Sequence, residues 1–227
     1  MSIRRDYVMR QIQELVQVLS RAVFLRTQGE CEAALKEIRR ALKALDSNAD
    51  VDALDVPGWI ALCRQHEDIV GPLMEVVGSI LRERALSLEA SGETKQSELA
   101  RVAGLTLHLE AILNGANPIT AELLRQVDED IRVVAVDTLP PATLSHLFAY
   151  CEQRGRLAAA EDILFDWLDT GDPNAAAAGR QFYARLTEMK DSILELGGLS
   201  HAEVEEGRDA LEKRVKCTGS ARVREGL

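Results

Sequence analysis

Apolar residues recur along the whole chain at steps of three and four, the spacing that brings side chains to one face of a helix. From Asp6 onward Ile12, Leu15, Val16, Leu19, Val23 and Phe24 keep that step. Thr27-Gln28-Gly29 closes the segment, with a glycine suited to the left-handed conformation that ends helices. A second helix, Glu30 to Leu45, turns Ala33, Ala34, Ile38, Ala41, Leu42 and Leu45 inward. So short a link makes the two an antiparallel hairpin. Further helices are predicted beyond polar breaks. Ser47 to Pro57 ends with a proline in a first turn, and Asn114 to Pro118 precedes Thr120 as an N-cap. Leu139-Pro140-Pro141 is the next break, and Asp172-Pro173-Asn174 opens a helix from Ala175 to Leu196. Ser200-x-x-Glu203 reads as the capping box of a last helix that runs to about Val215. The one strand-like run, Val133-Val134-Ala135-Val136, has no second strand to pair with and is assigned to a helix end or an extended link. The pattern predicts an all-α chain.

The hairpin recurs. Gly29, Gly92 and Gly155 are spaced 63 and again 63 residues apart, and the apolar positions around them keep step. Val18, Leu81 and Leu144 precede them, as do Ala22, Ala85 and Phe148, and Leu25, Leu88 and Cys151. Small residues Ala34, Ser97 and Ala160 follow, then Leu42, Leu105 and Leu168. Between hairpins a short third helix also repeats: Leu62-Cys63-Arg64-Gln65 matches Leu123-Leu124-Arg125-Gln126 at an offset of 61. The expected organisation is a single domain over 1–215, in units of about 1–57, 58–120 and 121–215, with about nine helices. After Val215 the apolar period stops, and 216–227 is read as a flexible basic tail.

The hairpins resemble tetratricopeptide repeats. The closest copy is Leu144-x-x-Leu147-Phe148-x-x-Cys151-x-x-x-Gly155-x-Leu157-x-x-Ala160-x-x-x-Leu164-x-x-Trp167, followed by Pro173. The Gly29 copy is next, and Arg101 and Gly104 loosen the Gly92 copy. The family's Trp and Gly-Tyr pair are absent, and the period of about 63 exceeds the ~34 of tandem copies. The resemblance implies a right-handed array of helix hairpins whose first helices line a partner groove. By that resemblance the groove positions include Val16, Leu19, Val23, Arg26 and Thr27, then Ser79, Arg82, Leu86, Glu89 and Ala90, then Ala142, Ser145, Ala149, Glu152 and Gln153. The opening Ile3-Arg4-Arg5-Asp6-Tyr7-x-x-Arg10-x-Ile12, with Leu25-x-x-x-Gly29-Glu30, is similar to an uncharacterised bacterial family that begins in this way. No activity comes with that likeness.

Composition narrows the function classes. With 27 Lys plus Arg against 37 Asp plus Glu, the net charge of −10 disfavours nucleic acid as a partner. No apolar stretch is long enough to span a bilayer and no secretory leader is apparent, so a cytoplasmic address is expected. Cys31, Cys63, Cys151 and Cys217 form no C-x-x-C pair and read as free thiols. His66, His108, His146 and His201 make no ligand pattern, so no metal is expected, and no cofactor either. Asp128-Glu129-Asp130 and Glu203-x-Glu205-Glu206 are assigned to solvated faces, the former pairing with Arg125 and Arg132. Nucleophile-elbow, P-loop and dinucleotide motifs are missing, so catalysis is not expected. The leading expectation is an interaction scaffold whose partner is a protein, a peptide or a second copy. An enzyme or small-ligand binder with a site between helices is the alternative. Arg4, Arg5 and Tyr7 are a candidate docking patch beside the helix N-terminus.

Overall fold

The computed structural model describes residues 2–66, 69–115 and 118–225, with side chains described from 10 to 216 within those spans. The described residues form eleven α-helices and a 3-10 turn at Val136–Thr138, joined by short links, with no strand among them. The helices are α1 (Ser2–Thr27), α2 (Cys31–Leu45), α3 (Val56–Arg64), α4 (Val70–Ala90), α5 (Thr94–Asn114) and α6 (Ala121–Val133). Then come α7 (Pro141–Gln153), α8 (Leu157–Asp169), α9 (Pro173–Thr187), α10 (Asp191–Leu196) and α11 (His201–Glu225). The chain divides into two compact units, 1–134 and 135–227, where the sequence suggests one domain of three units.

Four corners share one backbone solution: Gly198, with φ of 85°, and the three spaced by 63 residues. Gly29, Gly92 and Gly155 have φ of 80°, 80° and 69°, values that L-residues with a Cβ rarely adopt. At each, the following residue donates its N–H to the carbonyl five back: Glu30 to Leu25, Glu93 to Leu88 and Arg156 to Cys151, all at 2.9 Å. The glycine itself donates to Arg26, Glu89 and Glu152 respectively, at 2.9, 3.0 and 2.9 Å. These bonds satisfy carbonyls that a helix end leaves open. Helix starts are capped where the sequence marks them. Asp55 accepts from Gly58 N–H at 2.8 Å, Thr120 from Leu123 N–H at 3.1 Å and Asp172 from Asn174 N–H at 2.9 Å. Ser200 and Glu203 form the reciprocal capping box, at 2.7 and 3.3 Å.

In the first unit α4 and α5 make the most extensive packing, with α1 and α2 against α4, α3 against both, and α6 against α5. Helix α5 is buried almost all round from Ala100 to Ile112, including Arg101, Thr106, His108 and Glu110. In the second unit α7 packs on α8, α8 on α9, and α11 on α9 and α8. Its core is aromatic. Phe148 meets Phe182 edge-on at 5.3 Å between centroids, and Phe182 meets Tyr183 at 5.4 Å.

Two differences from the sequence expectation have local causes. The predicted Ala175–Leu196 helix is two helices, because Met189 N–H turns back to the Leu186 carbonyl at 3.0 Å and Lys190 is extended (φ −74°, ψ 147°). This break adds one helix, and eleven are described against about nine expected. The backbone of α11 is helical to Glu225, through most of the 216–227 segment read as a tail.

Candidate interaction surface

The sequence places Ile12, Leu15, Val16, Leu19, Val23 and Phe24 on one helix face; α1 divides them. Leu15 and Ala22 are buried at 5% and 0% exposure. Val16, Val23 and Phe24 are instead exposed at 44%, 37% and 61%, and Ile12 and Leu19 are half-buried. At 100° per residue, Ile12, Val16, Leu19 and Val23 form a second stripe beside the buried one. Its solvent flank carries Gln13, Gln17, Ser20, Phe24 and Thr27, with Arg26 at the inner edge of the stripe and exposed Glu14 and Arg21 on the far side of that flank. Arg26 is turned inward, its Nε donating to buried Glu83 at 2.5 Å. An apolar stripe open to water on so charged a chain is the surface feature of the first unit that most needs a reason.

The charged residues among the expected groove positions are otherwise committed within the units. Arg82 (α4) donates to Asp130 Oδ1 at 3.2 Å and to Glu129 at 2.7 Å, both on α6. Arg101 (α5) donates to the same Asp130 oxygen at 3.1 Å and to Glu89 (α4) at 2.6 Å. Glu129 also pairs with Arg125, which reaches Glu122 at 2.6 Å. Asp130 is fully buried, not part of a solvated face, and its Oδ2 has no partner. Burial pushes its carboxyl up while the two guanidiniums oppose that shift. Leu86 is half-buried. In the second unit Ser145 Oγ donates to the Ala142 carbonyl at 3.3 Å, Ala149 is half-buried, and Glu152 accepts from Arg185 at 2.7 and 2.9 Å. The backbone of Arg4, Arg5 and Tyr7 belongs to α1, and their side chains lie outside the described residues.

Sequence reasoning missed the α4–α5 seam, although its spacing was readable. Gly78, Arg82, Ala85 and Glu89 on α4 face Ser97, Arg101, Gly104 and His108 on α5, both rows stepping by four, three and four. A Cβ at Gly78 would lie 2.4 Å from His108 Cδ2, and one at Gly104 would lie 2.9 Å from the Gly78 carbonyl oxygen. The glycines let the backbones close up and leave room for the ring.

Ser79 and His108 look like a nucleophile and its base, at 3.2 Å, but the proton is in the wrong place. His108 Nε2 also lies 3.2 Å from the Glu75 carbonyl, which only accepts, so Nε2 carries the hydrogen and donates it there. Ser79 donates to Gln126 at 3.2 Å instead. Burial holds the ring neutral, with its pKa lowered to about 4, and Nδ1 has no partner to orient it. Among the described residues no three His, Cys, Asp or Glu side chains gather to hold a metal ion, and no helix is long and apolar enough to cross a membrane. His66 is half-buried, and Glu67 and Asp68 beside it lie outside the described residues.

The sequence profile of one protein family, a family of unknown function (DUF6483), matches residues 2–216. No curated protein and no solved structure matches the chain.

Proposed function

This chain belongs to the DUF6483 family, and we propose that it is a tetratricopeptide-like scaffold that presents the outer face of α1 to another protein chain. The observation that carries this reading is the exposure of Val16, Val23 and Phe24 beside the neutral Gln13, Gln17, Ser20 and Thr27 on α1. Leaving such area in water forgoes about 25 cal/mol per Å², a gain that a docked helix recovers. The spacing of Gly29, Gly92 and Gly155, 63 residues apart and each at a corner between antiparallel helices, supports the hairpin likeness. The Glu89–Arg101–Asp130–Arg82–Glu129 chain ties α4, α5 and α6 together, giving the first unit a stiff interior.

The reading is tested in cells by placing a photo-crosslinking amino acid at Phe24, and at exposed Lys36 on α2 as a control. A discrete protein adduct from position 24 and none from 36 is expected. Equal or absent adducts refute it. A small-ligand binder is the second reading, favoured by one cleft of about 580 Å³ between α1 and α2, floored by Leu15, Val18, Ala41 and Leu45 and rimmed by Arg10 and Arg40. Native mass spectrometry of the purified chain would show a retained small molecule.

A further inference from the structure

We infer that the occupant of the α1 outer face is α1 of a second copy of this chain, packed antiparallel about a two-fold axis. This rests on the interaction reading above and names its partner. Ile12, Val16, Leu19 and Val23 step by four, three and four, the spacing of a two-stranded helical seam. β-Branched Val16 and Val23 occupy one class of seam position and Ile12 and Leu19 the other, so an antiparallel pair stacks Val16 on Leu19 and Ile12 on Val23.

Charge selects a like partner. A foreign chain is usually picked out by complementary charge at the contact. Gln13, Gln17, Ser20 and Thr27 along the exposed flank offer none, yet 28% of the chain is charged. A neutral face meets its own copy without repulsion, which a self-complementary two-fold contact requires. The antiparallel form also opposes the two helix dipoles, which a parallel pair would align. One helix pair falls at the small end of stable interfaces, so the dimer is reversible and dissociates on dilution. Added salt tightens it by screening two copies that each carry −10.

Sedimentation velocity on the full chain, from about 1 to about 200 µM, is the test. The wild type is expected to pass from monomer to dimer over that range. Val16→Glu with Val23→Glu weakens dimerisation at least about tenfold with unchanged helical circular dichroism, since both side chains face water in the monomer. Ile12→Lys combined with Val23→Glu, placed opposite each other only in the antiparallel pair, dimerises more tightly than Val23→Glu alone. A wild type that stays monomeric at the highest concentration overturns the inference, as does a dimer indifferent to Val16→Glu with Val23→Glu. A double variant no tighter than Val23→Glu alone overturns the antiparallel arrangement. If the wild type is monomeric and position 24 still crosslinks to a different protein in cells, the inference fails while the scaffold reading stands.

Discussion

Acidification should loosen the first unit through His108. The ring is fully buried against Gly78, its Nε2–H held by the Glu75 carbonyl at 3.2 Å, and its pKa falls from 6.5 to about 4. Burial is the main cause; the neighbouring Arg82 guanidinium adds to it, and the Glu75 carbonyl partly opposes it. In the unfolded chain the ring protonates near its ordinary value, so below that pH the unfolded state binds more protons than the native one. Stability from this group is therefore complete above about pH 6.5 and lost as pH falls through about 4. Between about pH 7 and about pH 5 the loss comes to about 2 kcal/mol, toward a ceiling of about 3 kcal/mol. Burial pushes the carboxyls of Glu75 and Asp130 up, and these act with the opposite sign. The comparison is thus between the wild type and His108→Gln, each unfolded in urea at both pH values. Buried Trp59, in the first unit, is followed in a Trp167→Phe background. The wild type should lose about 2 kcal/mol more than the variant on acidification. Equal losses, or a native His108 ring that titrates above about pH 6 by NMR, would refute the reasoning.

Other perturbations separate packing from conformation and charge. Gly78→Ala puts a methyl 2.4 Å from His108 Cδ2 and should destabilise by about 1–3 kcal/mol even after the helix-propensity gain, measured by thermal unfolding. Gly92→Ala meets nothing within 4 Å, so only its φ of 80° is strained and about 1 kcal/mol is expected. Asp130→Ala leaves Arg82 and Arg101 facing each other across a buried site and should lose about 3 kcal/mol or more in urea titrations. Adding Arg101→Leu to that variant should restore part of the loss, since the two changes share one contact.

Helix positions, caps and glycine corners were legible in the sequence because each has a local chemical mark. Ser200 and Glu203 close their box, and Gly29, Gly92 and Gly155 take the positive φ that such corners need. What sits against each face was less legible. Periodicity groups Ile12 with Val16 and Leu15 with Ala22, yet only tertiary packing decides which stripe is covered. Asp130 was readable in principle, since Leu123, Val127 and Asp130 step by four and three onto one buried face. Its two acidic neighbours disguised it as part of a solvated run. The α9–α10 break carries no glycine or proline at 188–190, so no local residue announces it.

Arg101 sits on the central helix and grips a carboxylate on each of two flanking helices, Glu89 to one side and Asp130 to the other. Such a tether works like a key in a slot: it fixes the azimuth of α5 about its own long axis. Apolar neighbours tolerate sliding and swivelling by a few degrees at little penalty, but a planar fork gripping two anions does not. Lysine, with a single point of charge, would hold one neighbour and release the other. The turn of α5 about its axis thus leans on this guanidinium, while Arg82 joins α4 to α6 through the same Asp130 oxygen and the aliphatic filling around them stays free to vary.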